Sequence, residues 1–380
     1  MGISESQKLI RETARAFAQK EVVPHVREWE AAGRAPRSLY RKMGAAGLLG
    51  VCVDPEYGGS GADFVAYVLA IEELSAADGG TANVMSANNS PVCAAIQASG
   101  TDRQKQAWLP KLCSGEWLGC IQLTEPHTGS DAAAIRTRAC REGDDWVLNG
   151  HKAFITGGAT SDLAIIVAVS DPQAGKRGIT TFVTPTDVPG YTLLAKEEKL
   201  GHRTNDTCQI ALEDLRVPDE NVLGEPGRGL GIALAHLSAG RIGVAAQSVG
   251  GAKAALARAR AYAAERETFG KKIIEHQAIA FMLAEMATEI EAGRQLYLHA
   301  ARLHADGVEC AREASMAKLF ASEMAERVAS RAIQILGGAG YLADHEVEKI
   351  YRDVRVYQIY EGTSEVQKIL ISRMLDDPES

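Results

Sequence analysis

Apolar residues recur at helical spacing in the first and last thirds of the chain, and in short β-prone runs between them. Near the N-terminus, Leu9, Ile10, Ala14, Phe17 and Val22 alternate with charges and predict an amphipathic helix over 4–32. Pro24 lies inside that pattern and should break or kink it. Further helices are expected from Pro36 to Gly47 and over 63–77, 81–99 and 102–113. The Gly58-Gly59-Ser60-Gly61 cluster reads as a plain loop, because no Lys-Ser/Thr follows as a phosphate loop requires.

The pattern changes near Glu116. Runs at 121–124, 146–149, 164–169, 179–183 and 208–212 are short and β-prone, and Gly, Asp and Pro clusters separate them. Such close spacing predicts an antiparallel sandwich or barrel rather than β-α-β units. After Gly231 the helical period returns, over about 231–264, 274–306, 309–336 and 344–375. Four long helices joined by short loops make a bundle. The expected fold is mainly α with a central β domain: helical 1–120, β 121–230 and a four-helix bundle 231–380.

Composition narrows the functional classes. The chain has 380 residues, 46% of them hydrophobic and 24% charged, ordinary for a soluble globular protein. A net charge of −8 without a basic run argues against a nucleic-acid partner. The seven cysteines form no C-x-x-C pair, and the histidines form no ligand constellation, so no metal site is suggested. The charged start, Met1 to Arg15, has no apolar signal core, and no stretch is apolar for long enough to span a bilayer. A cytoplasmic protein without membrane insertion is expected.

The most suggestive chemistry lies in Ile359-Tyr360-Glu361-Gly362-Thr363-Ser364-Glu365. Glycine lets backbone approach a ligand, and a carboxylate beside Tyr360 and Ile359 is partly desolvated. That makes it a stronger base when ionised, as removal of a weakly acidic C–H proton requires. The plainer alternative is an ordinary helix start, with Thr363 as cap and Glu365 in the first turn.

Other stretches are weak singly. They are Thr124-Glu125-Pro126 with Gly129-Ser130-Asp131, Gly150-His151-Lys152-Ala153-Phe154-Ile155-Thr156, Arg266 to Gly270, and Gln334-Ile335-Leu336-Gly337-Gly338. No G-x-G-x-x-G follows a strand, so a dinucleotide would not be held in the Rossmann manner. Together, in this order, these stretches resemble the acyl-CoA dehydrogenase family over essentially the whole chain, with Asn83 to Ser90 resembling the pocket floor of short-chain members.

The resemblance implies FAD as cofactor and a short acyl-CoA as substrate. Glu361 would remove the α-proton while the β-hydrogen leaves as hydride to flavin N5, giving a trans-2-enoyl thioester. Ile121, Leu123, Thr124, Gly129, Ser130, Phe154, Ile155 and Thr156 would line the flavin. Arg266, Thr268, Phe269, Gln277, Gln334, Gly337 and Gly338 would hold FAD across a subunit boundary, with Thr363 and Glu365 also touching it. Ser130, Ser238, Arg241, Tyr360 and Gly362 would meet the substrate. The resemblance further implies a homotetramer built as a dimer of dimers, and an electron-transfer flavoprotein as acceptor. Ser238 stands where many relatives have Asp, Phe154 where many have Trp, and His127-Thr128 where small residues are commoner. For His127 a solvated side chain is expected rather than an acid. An acyl-carrier-protein thioester, an oxidase of the same fold, or a non-catalytic acyl-CoA-binding scaffold are the competing readings.

Overall fold

A computed structural model of the chain describes residues 2–375; Met1 and the last five residues, assigned above to the terminal domains, lie outside them. The first helix, α1 (Glu5–Phe17), opens on a capping box in which Gln7 N–H donates to Ser4 Oγ and Ser4 N–H to Gln7 Oε1. Pro24 breaks the pattern as expected: a short 3-10 turn over Val23–His25 precedes α2 (Val26–Ala32). Helices α3 (Arg37–Ala45), α4 (Phe64–Ala77), α5 (Gly79–Ala87), α6 (Ala94–Ser99) and α7 (Asp102–Ser114) follow. The single helix expected over 81–99 is thus two. Pro91 lacks an N–H and disfavours helical backbone before it, and Ser90 is indeed extended (φ −144°, ψ 113°). Asn88 and Asn89 fill the break, donating to the carbonyls of Leu49, Leu112, Leu48 and Met85.

The middle region is one curled sheet of seven strands: β1 (Gly119–Gln122), β2 (Arg138–Glu142), β3 (Asp145–Thr156), β4 (Leu163–Val169), β5 (Ile179–Pro185), β6 (Tyr191–Lys196) and β7 (Thr207–Pro218). Their order is β1-β4-β2-β3-β7-β6, with β5 also on β4. The expected antiparallel arrangement holds for most pairs but fails at β4, which runs parallel to β1 with Ile121 opposite Ile165, and to β2 where Arg138 meets Val169. The β2–β3 hairpin intervenes in sequence, so β1 and β4 meet through a crossover connection. β4 explains its own apolar run: Ala164, Ile166 and Ala168 enter one core, and Leu163, Ile165 and Val167 enter those on the other face.

The last third contains α8 (Gly229–Ala235), α9 (Leu237–Glu265), a small hairpin of β8 (Glu267–Thr268) and β9 (Lys271–Lys272), α10 (Gln277–Ala305), α11 (Ala311–Leu336), α12 (Val347–Val354) and α13 (Ser364–Met374). The fourth bundle helix expected over 344–375 is therefore divided, and the division carries the candidate base. The run 229–265 contains a window of mean hydropathy 1.3, apolar and long enough by composition to cross a membrane, contrary to expectation. That window is 65% buried inside the protein, because α9 is the central helix against which α4, α10 and α11 pack.

Two buried charge clusters tie the thirds together. Glu72 on α4 accepts from Arg294 and Tyr297 of α10 and Lys253 of α9. Lys349 on α12 donates to Asp78 at 2.6 Å and also to Asp353. Asp78 in turn accepts from Thr81 N–H (2.7 Å) and the Thr204 hydroxyl (2.6 Å), and Asp353 from His202 N–H (2.7 Å). One ammonium thus joins α5, α12 and the loop before β7.

Candidate active site

Glu361 is positioned by backbone geometry before its side chain enters the argument. Between α12 and α13, Glu361 (φ 54°) and Gly362 (φ 89°) both take left-handed backbone. For a residue with a side chain this costs about 1–3 kcal/mol, so neighbouring contacts must hold it. Lys318 of α11 donates to the Gly362 carbonyl at 2.7 Å. Gln367 of α13 donates through Nε2 to the carbonyls of Glu361 (3.1 Å) and Gly362 (2.9 Å). A Cβ at 362 would come within 2.7 Å of that nitrogen, so the turn needs glycine for space as well as for φ.

The Glu361 carboxylate lies against the first turns of α9. A Cβ on Gly240 would stand 2.5 Å from Oε2, so the carboxylate occupies the space a side chain would take. Desolvation raises the carboxyl pKa above its ordinary value, and Arg241 and Lys318 pull it partly back. Arg241 is only 8% exposed, and its Nε has no hydrogen-bond partner among the described residues. The Glu361 N–H likewise donates to no acceptor among them. A basic carboxylate, an unpaired amide and a buried guanidinium therefore share one corner.

An aromatic wall supports this corner. Tyr360 donates its hydroxyl to Gln247 Oε1 at 2.6 Å and stacks on Tyr357 with ring centroids 6.0 Å apart. His202 packs edge-on against both, 5.4 Å from Tyr357 and 6.3 Å from Tyr360. Burial pushes its pKa down to about 4, so it stands there neutral at pH 7. Below the wall, the Tyr67 and Ser86 hydroxyls are 3.1 Å apart, and the Glu361 charge acts on Tyr67.

A second constellation sits where β1 and β3 end. Ile121, Leu123 and Thr124 are half-buried, and Gln122 between them is fully buried, as strand alternation requires. Ala153 N–H donates to the Thr124 carbonyl at 3.0 Å, fastening the two segments side by side. Phe154, 65% exposed, also has a left-handed backbone (φ 57°), and Thr156 is half-buried. Ile155 points the other way, its side chain buried in the β core, which leaves its backbone as the part able to meet a flavin. Gly129 and Ser130 are exposed. His127 is exposed, as expected, with its Nε2 3.1 Å from the Ala134 carbonyl and 3.8 Å from Glu125.

Beneath that loop, Glu125 accepts from Arg136 N–H (2.7 Å), Thr137 N–H (2.9 Å) and Lys152 Nζ (2.9 Å). Burial pushes the Glu125 carboxyl up, but Lys152 and Thr137 outweigh it and hold it below its ordinary value. Burial also brings Lys152 down to about 8 against the pull of Glu125. This ion pair fixes the loop and is almost wholly buried.

The remaining expected residues lie on the outside. Arg266, Phe269 and Gln277 are exposed at the β8–β9 hairpin and the start of α10, with Thr268 half-exposed. Arg266 makes no side-chain hydrogen bond or ion pair among the described residues. Phe269 is 97% exposed on left-handed backbone (φ 52°). Gln334, Gly337 and Gly338 are exposed at the end of α11. No hydrogen bond or ion pair among the described residues joins either group to the Glu361 turn. Ser238 is half-exposed at the start of α9. Thr363 and Glu365 do serve the helix start, since Thr363 accepts from Val366 N–H at 3.3 Å and Glu365 is in the first turn. That plain role leaves the strain and desolvation at Glu361 unexplained. Sequence reading missed Lys318, Gln367 and Gln247 and gave no role of their own to Glu125 and Lys152 within their motifs; these residues hold the expected ones in place.

Comparison with known proteins agrees along the whole chain. Family models described as the N-terminal, middle and C-terminal domains of acyl-CoA dehydrogenase match residues 4–116, 120–215 and 227–375. The short-chain specific acyl-CoA dehydrogenase of Rattus norvegicus mitochondria is 43% identical over 370 residues, 97% of this chain and 90% of that protein. The butyryl-CoA dehydrogenase of Megasphaera elsdenii superposes with a TM-score of 0.96 at 40% identity, covering 99% of both chains. A chain from a structure of the electron transferring flavoprotein of Acidaminococcus fermentans superposes at 0.97 with 44% identity, again over 99% of both.

Proposed function

Because the chain belongs to the acyl-CoA dehydrogenase family and is on that ground an oxidoreductase, we propose FAD-dependent α,β-dehydrogenation of a short, straight or branched acyl-CoA to the trans-2-enoyl-CoA. The observation that carries the reading is Glu361: a desolvated carboxylate on a strained turn, between two buried cations.

Ionised Glu361 takes the α-proton of the thioester. Desolvation strengthens it as a base, while Arg241 and Lys318 keep enough of it ionised. The unpaired Glu361 N–H donates to the thioester carbonyl, where negative charge develops as the proton leaves. Arg241, with its free Nε–H, holds the thioester and CoA side of the substrate, together with Ser238 and Ser130. Gly362 and Tyr360 shape the turn and wall that face the acyl group.

The residues present fit a flavin. Phe154 offers an exposed ring beside the half-buried hydroxyls of Thr124 and Thr156, with Ile121 and Leu123 as the apolar part of the same ledge. A bound FAD would accept the β-hydrogen as hydride at N5. Arg266, Thr268, Phe269, Gln277, Gln334, Gly337 and Gly338 would hold its distal portion on a second copy of the chain, with Thr363 and Glu365 alongside. The exposure of Phe269 (97%) and Tyr341 (84%) supports a contact between copies, because large aromatic side chains left in water favour a partner surface; the assembly proposed is a dimer of dimers. An electron-transfer flavoprotein is the proposed acceptor, in a cytoplasmic setting. The likeness to short-chain and butyryl-CoA enzymes supports a short acyl chain, and the Tyr67 and Ser86 hydroxyls lie on the side of the site where the Glu361 charge is felt.

Anaerobic addition of butyryl-CoA to the FAD-loaded protein should bleach the visible flavin band and yield crotonyl-CoA. A band unchanged by butyryl-CoA and by branched short-chain acyl-CoA would overturn the assignment.

A further inference from the structure

Lys318 stands out among the buried charges because little in the fold rewards burying it. It is fully buried on α11, yet the Gly362 carbonyl, 2.7 Å away, is the one acceptor its ammonium meets among the described residues. An ammonium has three protons to donate, and desolvating it against one neutral carbonyl is costly. Lys152 and Lys349, by contrast, each face a carboxylate at hydrogen-bond distance. What Lys318 does have is position. Its partner carbonyl belongs to the residue after Glu361, and its charge acts on the Glu361 carboxylate.

We propose that Lys318 is a positioning residue for Glu361: it clamps the left-handed turn through the Gly362 carbonyl and supplies the positive charge that keeps the desolvated base ionised. This rests on Glu361 being the base. Two side chains divide the work. Gln367, also fully buried, holds both turn carbonyls without charge, and Lys318 adds a charge to the same grip.

The charged surroundings fit this role. Glu361 and Glu365 act on Lys318 from the turn and α13, Arg241 opposes it from α9, and Glu323 lies further along α11. Glu323 is drawn toward Lys368 of α13 at 3.5 Å. The charges of α10 are directed elsewhere, Glu289 to Arg327 and Arg331, and Glu285 toward Arg331. Beyond α12, Arg355 and Gln358 engage Glu326. Burial brings Lys318 down to about 8, so it is largely charged at neutral pH. The sign follows. A cation beside Glu361 lowers the pKa of its carboxyl, and removing that cation lets desolvation raise it further.

The test is Lys318→Met in the FAD-loaded protein, with flavin reduction by butyryl-CoA followed across pH and thermal stability measured alongside. The acid limb should move to higher pH, with the rate at the original midpoint falling roughly five- to tenfold and recovering as pH rises. The melting temperature should change little, because removal of a costly buried charge offsets the lost clamp on the turn. Gln367→Leu should slow reduction without moving the acid limb. A uniform loss of rate at every pH with a lower melting temperature would make Lys318 merely structural and overturn the proposal, as would an unchanged profile. If Glu361→Gln still reduces its flavin normally, it is the underlying base assignment that fails.

Discussion

Glu361→Gln is expected to slow reduction of bound flavin by about 10²–10⁴-fold while the protein keeps its FAD and its fold. The substitution preserves volume, so the carboxamide still fills the space against Gly240 that a Cβ would otherwise claim. The turn is held by its own carbonyls, which accept from Lys318 and Gln367 and do not involve the side chain. Stability should not suffer, because a neutral group in this desolvated corner avoids the cost of a carboxylate there. What disappears is the ionised carboxylate, the group basic enough to take the proton, since an amide oxygen is not. Stopped-flow absorbance of the flavin measures this directly, and a rate within a few-fold of the parent would remove Glu361 from the chemistry.

The largest effect on stability is expected at Lys349. Lys349→Met leaves Asp78 and Asp353 buried without their cation, and breaking such a pair costs about 3–5 kcal/mol. The direction follows from the carboxyl itself. Burial pushes Asp78 up, but Lys349, Thr204 and Thr81 hold it down to about 2, so the folded state depends on its ionised form. The loss should reach the active site, because Asp353 also accepts from His202 N–H and His202 braces Tyr357 and Tyr360. Chemical denaturation should show a lower midpoint. Changing Asp78 and Asp353 to Asn in the same background should recover part of it, since no uncompensated charge then remains. A midpoint unchanged by Lys349→Met would show that the cluster is solvated in practice.

How far the sequence led depends on the kind of residue. The order of helical, β and helical regions was legible, because apolar periodicity is strong in long helices and in strands such as β4. Glu361 was legible through the glycine after it and the aromatic run before it. The division of the last helix at that turn was legible only as the plainer alternative of a helix start capped by Thr363, while the grip of Lys318 and Gln367 that shapes the turn is tertiary and left no local pattern. Lys318 did leave a signal. It falls on the buried stripe of α11 with Ala314, Ala321 and Ala325, where a lysine is out of character. Lys152 left none, because irregular register between β3 and β7, at Leu148/Gly150 and again at Lys152/Ile155, breaks the alternation that would mark it as inward. The parallel pairing of β1 with β4 was likewise invisible, since it joins segments separated by a hairpin that itself looks antiparallel.

The most direct test of Glu361 as the α-proton base compares anaerobic flavin reduction by butyryl-CoA with that by butyryl-CoA deuterated at Cα. Proton removal in the flavin-reducing step predicts clearly slower reduction by the labelled thioester, by a primary isotope effect. Equal rates under conditions where chemistry limits the observed step would contradict proton abstraction there, and with it the role given to Glu361.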